Sequence, residues 1–262
     1  MPKRGACHDV NVISWNLKGS KGVDVRAVVD HLEAMAADVV VLQEVQAGQA
    51  RAIARSLGAK TRHWGFKHWP IRTWPEGMAV IGVTTPAPAR TYAITHRRMP
   101  WSSRRRIVQV GTVRLDADAS AGMNVTLVNV HLSSGGDAAH VRTLEAEMII
   151  RRIAERGRQA VVAGDFNDRP GADVHLRFRA AGLRDVWSAL RGDDPGPTNW
   201  RGWVPGTRKP PTQRLDYVLI SRGLDPEGVS VPHYGDPDFA PFASISDHVP
   251  LVATVVTAEA PS

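Results

Sequence analysis

DVNVISWNLKGSKGVDVRAVVDHLEAMAADVVVLQEV, residues 9–45, decides the fold class. Asp9 to Leu17 alternates apolar and polar residues, the period-2 pattern of a strand. Val25, Val28, Val29, Leu32 and Met35 then recur at helical spacing, which predicts a helix over 23–36. Val39 to Leu42 is a short, fully apolar strand. The Ala- and Arg-rich stretch 46–57 continues as a second helix. Strand–helix–strand–helix in the first 57 residues is the opening of an α/β protein.

Outward from there the alternation goes on. Residues 61–77 read as a Trp- and His-rich loop containing Pro70 and Pro75, and Met78 to Val83 as a strand. Residues 84–104 read as irregular, with Pro86, Pro88 and Pro100. Ile107 to Leu115 and Met123 to Val130 are strong strands joined by a turn-like 116–122. Asp137 is a candidate N-cap for a helix marked by Val141, Leu144, Met148, Ile149 and Ile153 and ending near Gly157. A short buried strand at Ala160 to Ala163 and a helix over 172–181 follow. A long Gly/Pro/Trp loop, 190–213, leads to final strands at Leu215–Ser221, Val229–Pro232 and Val249–Val256. No interior stretch has linker composition, so 1–262 is read as one domain with loose ends at 1–8 and 257–262. The expected architecture is two mixed sheets packed face to face, with helices outside.

Composition narrows the class. Apolar residues are 43% and charged residues 23%, which excludes a mostly disordered chain. One cysteine, Cys7, excludes an internal disulfide and a cysteine-based zinc site. No apolar stretch follows the basic N-terminus and no run is long enough to span a bilayer, so a cytoplasmic protein without membrane insertion is expected. The formal net charge is +7. Of 33 basic residues only six are lysines, leaving 27 arginines. Arginine forms bidentate bonds to phosphate and so suits a polyanionic partner; a general arginine bias of the coding sequence explains the total equally well. The local cluster of Arg97, Arg98, Arg104, Arg105 and Arg106 around Trp101 is more specific, because interleaved arginine and aromatic side chains fit nucleic-acid backbone and bases. One or two of these arginines also fit the exposed face of the strand at Ile107.

Polar clusters abut the strands: Trp15-Asn16-Leu17, Gln43-Glu44-Val45, Asn129-Val130-His131, Gly164-Asp165-Phe166-Asn167, Arg214-Leu215-Asp216-Tyr217 and Ser246-Asp247-His248. Strand ends are where α/β folds place ligands. Each cluster alone has an ordinary structural explanation, such as a turn, a cap or a hydrogen-bonded core histidine. Together they supply oxygen donors suited to a hard cation, Mg²⁺ or Mn²⁺, plus two imidazoles able to move protons or hold phosphate. Metal-assisted phosphoester hydrolysis follows from that inventory.

The ordered set SWNL (14–17), LQEV (42–45), NVHL (129–132), GDFN (164–167), RLDYVLIS (214–221) and SDHVPL (246–251) resembles the endonuclease/exonuclease/phosphatase superfamily. That superfamily includes deoxyribonuclease I, AP endonucleases, sphingomyelinases and inositol-polyphosphate 5-phosphatases. The resemblance implies a four-layer α/β sandwich and Mg²⁺- or Mn²⁺-dependent hydrolysis by an activated water. It implies Glu44 as main metal ligand, with Asn16 and Asp247 beside the ion. It implies Asp165 and Asn167 on the attacking water and a phosphate oxygen; an i, i+2 pair in extended backbone would point both side chains one way. His248 would contact phosphate or take a proton, oriented by Asp216. His131 would be the acid for the leaving oxygen, and Glu76 its carboxylate partner. Arg97, Arg98, Arg104 and Trp101 are candidate substrate contacts, as are Trp200 and Trp203, which offer base stacking or membrane contact. Trp64, Trp69 and Trp74 raise the same question, with loop packing as the competing role. A monomeric nuclease is the leading expectation. A lipid phosphodiesterase, an inositol-phosphate phosphatase and a silent nucleic-acid-binding member are the alternatives.

Overall fold

The structure is a computed structural model that describes residues 9–68, 75–95, 105–115, 122–232 and 238–258. Residues 1–8, 116–121 and 259–262 and the cluster residues Arg97, Arg98, Trp101 and Arg104, with Trp69 and Trp74, lie outside the described residues. In chain order the strands and helices are β1 (Val10–Asn16), α1 (Val25–Ala34), β2 (Val39–Val45), α2 (Ala47–Ser56), β3 (Thr61–His68), β4 (Glu76–Gly82), β5 (Ala89–Ala93), β6 (Ile107–Arg114) and β7 (Asn124–His131). Then come α3 (Ala139–Ala154), β8 (Ala160–Asp165), α4 (Asp173–Ala180), β9 (Leu183–Asp185), α5 (Val186–Arg191), β10 (Asp216–Ser221), β11 (Leu224–Ser230), α6 (Ala240–Ala243) and β12 (Leu251–Thr257).

Two six-stranded mixed sheets result, ordered β11-β12-β1-β2-β4-β3 and β5-β6-β7-β8-β10-β9. Strand β8 shows why they stack. Val161 and Ala163 join the core between the sheets, while Ala160 and Val162 face the core that includes Ala146 and Ile149 of α3 and Phe178 of α4. A strand apolar on both faces must be covered on both, and period-2 alternation divides its residues between the two cores. Val28, Val29 and Leu32 of α1 and Ile53 of α2 are buried against the other sheet. The layers are therefore helix, sheet, sheet, helix. A buried amide network pins the sheets together: Gln43 Nε2 donates to Asn129 Oδ1 at 2.8 Å, and Asn129 Nδ2 donates to Gln109 Oε1 at 2.9 Å. Such a network is stabilising only when its members find partners, and it fixes one register between the layers.

Some elements differ from the sequence expectation. Residues 61–68 are strand β3, paired antiparallel with β4 from Thr61↔Gly82 to His68↔Glu76. Their Trp and His content hid a pattern that only the long-range pairing rewards. β5, within the stretch read as irregular, is a short edge strand on β6. Asp137 lies inside a 3-10 turn, and Ala138 takes the N-cap position of α3. Asp24 caps α1 and Asp185 caps α5 through their side-chain oxygens.

Candidate active site

Register places the chemistry. β7 runs parallel to β8 with His131 opposite Asp165, and β10 runs antiparallel to β8 with Asp216 opposite Asp165. Three reactive side chains thus stand side by side at one sheet end. Gly164, before Asp165, has φ 148°, and a Cβ there would collide with the Val130 carbonyl; only glycine allows this approach. In the other sheet, Asn16 ends β1 opposite Gln43 of β2. Glu44 follows at a register shift between Leu42 and Val45, with φ 50°. A bulge of this kind re-aims a side chain.

The two sheet ends meet at Asp165 Oδ2. Asn16 Nδ2 donates to it at 3.1 Å. His131 Nε2 lies 3.7 Å away and His248 Nε2 3.8 Å away. His131 Nε2 is also 3.7 Å from Glu44 Oε1. The His248 ring is fixed by Asp216 Oδ2 at 2.7 Å from Nδ1, and its backbone N–H donates to Ser246 Oγ at 3.2 Å. Thr198 Oγ1 in turn accepts from the Asp216 N–H at 3.1 Å.

Asn167 departs from the extended i, i+2 geometry. Its φ is 52°, and Asp165 Oδ1 accepts its backbone N–H at 2.8 Å, an Asx turn that asparagine tolerates. Its Nδ2 donates to the Leu132 carbonyl at 3.0 Å, bracing the exit of β7. Glu76 is not the direct partner of His131. Lys67, 2% exposed, stands between them, with Nζ 2.7 Å from Glu76 Oε1 and 3.3 Å from His131 Nδ1. No motif points to Lys67, whereas Arg142 and Glu145 stand where many members of the resembled family carry Arg then Gln. Glu145 accepts from the Ser133 N–H at 2.8 Å and hydroxyl at 2.7 Å, and Arg142 bonds the Ser133 carbonyl at 3.0 Å and Asp168 at 2.8 Å. They shape the loop after His131.

Electrostatics divides the two histidines. Burial pulls His248 down, but Asp216, Asp165 and the bond to Asp216 outweigh it and push the imidazole up to about 10. Burial, then Lys67 and Arg106, hold His131 well below the usual histidine value, so it is neutral. Burial raises the Asp165 carboxyl against the lowering pull of His248. Glu44 is raised first by burial, opposed by Lys67, and further by the like charges of Glu76 and Asp247. A cation between Glu44 and Asp247 would relieve that repulsion. Both carboxylates remain open, at 25% and 19% exposure, and Asp247 meanwhile pairs with the Lys18 ammonium. Among the described residues no three His, Cys, Asp or Glu side chains converge as a closed cage. An open site with one or two carboxylates suits Mg²⁺, which keeps water and substrate oxygens as ligands.

The tryptophans mostly pack. Trp200 is 6% exposed and donates to the Lys209 carbonyl at 2.8 Å, so it presents no free ring face for stacking. Trp64 donates to the Val45 carbonyl at 2.9 Å. Trp203 is half-buried, donates to the Ala243 carbonyl at 2.9 Å and carries the Lys18 ammonium 4.9 Å over its ring. Arg105 and Arg106 are internal braces: Arg105 donates to the Lys67 carbonyl at 2.6 Å and Arg106 to the Leu132 carbonyl at 3.1 Å. No described helix is long and apolar enough to cross a membrane.

A family model described as the Endonuclease/Exonuclease/phosphatase family matches residues 13–248. No curated protein matches the chain. Among solved structures, the catalytic domain of human Nocturnin with bound sulfate is similar at TM-score 0.72 and 18% identity, covering 96% of this chain and 94% of that one. D. rerio TDP2 complexed with a single-strand DNA product is similar at 0.70 and 17%, covering 95% and 99%. A family protein from Leptotrichia buccalis is similar at 0.72 and 16%, covering 94% and 99%. At these identities the likeness speaks for the fold.

Proposed function

The chain belongs to the Endonuclease/Exonuclease/phosphatase family, and from that premise we propose that it is a Mg²⁺- or Mn²⁺-dependent hydrolase of phosphodiester bonds in nucleic acid. The observation that carries this reading is the convergence of Asn16 Nδ2, His131 Nε2 and His248 Nε2 on Asp165 Oδ2. Pre-placed donors around one point suit the charge that builds on phosphoryl oxygens during hydrolysis.

Glu44 and Asp247, with the Asn16 amide beside them, are the residues that would hold the ion. A bound divalent ion supplies Lewis-acid polarisation of the phosphoryl group and lowers the pKa of water. Asp165 orients the attacking water and accepts its proton, and its burial makes it a stronger base than an exposed carboxylate. His248, held positive by Asp216, stabilises the developing negative charge. His131 is a neutral hydrogen-bond donor at the leaving oxygen. Lys67 has no acceptor to offer, so His131 Nδ1 must accept and Nε2 must carry the proton. The net charge of +7 favours a polyanionic substrate, and the same fold holds a single-strand DNA product in D. rerio TDP2.

The test is a substrate panel with Mg²⁺ and with Mn²⁺: plasmid DNA, single-stranded DNA, RNA, an abasic duplex, sphingomyelin and inositol phosphates. Nucleic-acid cleavage is expected. Preferred turnover of sphingomyelin or inositol phosphates would overturn the substrate class, and turnover of none would overturn the activity.

A further inference from the structure

Beside the catalytic cluster, Arg169, Arg201 and Arg214 line a cleft of about 450 Å³ with Thr212 and Gln213. No carboxylate lines it. Arg169 and Arg201 are exposed. Among the described residues neither guanidinium pairs with a carboxylate. Arg214 differs: its side chain is 5% exposed, it bonds Asp185 at 2.8 Å, and it lies 4.9 Å from the Tyr217 ring centre. It is a rigid wall whose charge Asp185 offsets. Asp168, next to Arg169, is bonded to Arg142 at 2.8 Å. The unpaired charge in the cleft is therefore that of Arg169 and Arg201.

The cleft walls are tied closely along the chain to the catalytic residues. Arg169 lies two positions after Asn167 and Arg214 two before Asp216, so each Cα is within about 7 Å of its catalytic neighbour. The Gln213 carbonyl accepts from the Thr198 and Asn199 N–H groups at 2.7 and 2.8 Å. Asn199 Nδ2 donates to the Asp247 carbonyl at 3.1 Å, and Thr198 Oγ1 accepts from Asp216. One segment thus holds the cleft wall, the metal-side carboxylate and the histidine partner together.

We propose that this cleft is a second phosphate subsite, which takes the phosphate of the nucleotide adjoining the bond to be cut. The inference rests on the phosphodiesterase reading and deepens it: the substrate is a nucleotide chain, not an isolated phosphate ester. Two arginines free to form bidentate bonds are the appropriate donors for a backbone phosphate, while the side-chain exposure of both lets a flexible strand enter without repacking the core.

Binding of a fluorescent single-stranded 12-mer, read by anisotropy in EDTA, tests the cleft without chemistry. The Arg169→Ala/Arg201→Ala double variant should bind at least about tenfold more weakly. The slope of log K against log salt should shrink by about 0.7 for each phosphate that the variant no longer neutralises. Arg169→Lys/Arg201→Lys should keep most of the slope, since the charges remain. An unchanged affinity and slope, with melting temperatures equal to the parent, would overturn the proposal. So would displacement of the 12-mer by inositol hexakisphosphate at lower phosphate concentration than by unlabelled 12-mer. Hydrolysis of bis(4-nitrophenyl) phosphate with Mg²⁺ reads the underlying activity separately, so the two ideas fail by different measurements.

Discussion

Lys67 reaches His131 from behind, with Nζ 3.3 Å from Nδ1, and is itself held by Glu76 at 2.7 Å. The carboxylate does not touch the imidazole. It neutralises an ammonium, and the ammonium sets which imidazole nitrogen carries the proton. An intervening lysine turns a histidine that a carboxylate would make cationic into a neutral donor.

Lys67→Met should therefore be costly, because it leaves Glu76 buried and unpaired. The expected loss is about 3–5 kcal/mol of stability. Lys67→Met/Glu76→Gln should recover part of that loss, since no buried charge remains. Denaturant melts of the single and double variants decide it; a double variant no more stable than Lys67→Met would show that the pair is not the source. The ¹⁵N shifts of His131 should report an Nε2–H ring in the parent protein and a mixture of tautomers in the double variant.

His248 and Asp216 should act as one unit, given the 2.7 Å bond between them. His248→Ala is expected to lower kcat at least ~10²-fold. Adding Asp216→Asn should cost far less than its effect alone. The measurement is a double-mutant cycle on kcat/KM with melting temperatures recorded alongside. Additive losses would separate the two roles, and a large fall in melting temperature with kcat preserved would make His248 structural.

Divalent metal should matter to both activity and stability. Dialysis against EDTA should stop hydrolysis, and Mg²⁺ or Mn²⁺ should restore it. Because an ion bound to the folded state stabilises it by mass action, added Mg²⁺ should raise the melting temperature. Glu44→Gln, which weakens ion binding, should blunt that rise. Full activity in EDTA, or an equal rise in Glu44→Gln, would exclude the ion from this site.

His68 and His248 should contribute to the pH dependence of the metal-free protein's stability with opposite signs. Burial and then Lys67 lower His68 to about 4 in the folded state. Below the unfolded value the unfolded chain binds the extra proton, so the His68 contribution falls from pH ~6.5 towards 4, at ~1.4 kcal/mol per pH unit, against the opposite-signed contributions of the raised Asp165 and Glu44 carboxyls. His131 adds in the same direction as His68. His248 has the opposite sign: its folded value of about 10 gives stability that is complete below ~6.5 and lost as pH rises towards 10. His68→Gln should flatten the acid limb by about one proton; an unaltered limb in pH-dependent urea melts would remove His68 from the account.

The four layers and the strand-end residues are legible in the sequence for local reasons. Apolar runs such as Val39–Leu42 and Ala160–Ala163 declare buried strands, and the polar residues that follow them fall at sheet ends by construction. Lys67 is not legible. It sits in a run of Trp and His, and it is buried because β3 pairs with β4 and because His131 arrives from 64 residues away. Trp200 misleads for the related reason that a Gly/Pro-rich loop looks exposed, whereas this loop folds over Phe239 and the core. The turn at Asn167 is hidden because a motif fixes residue types and not backbone angles.

The site also has a history in time. Trp15 Nε1 bonds the His248 carbonyl at 2.9 Å, and Ser246 Oγ bonds the Asn16 carbonyl at 2.7 Å, across 233 and 230 residues of chain. On the ribosome, Asn16 and Glu44 emerge long before β12 is made, and His248 comes just before that strand. A nascent chain therefore passes most of its synthesis with half of this cluster in place. Closure of β12 against β1 is a late, long-range event of the kind that slows folding. The same strand pairing that completes the sheet is the one that completes the cluster.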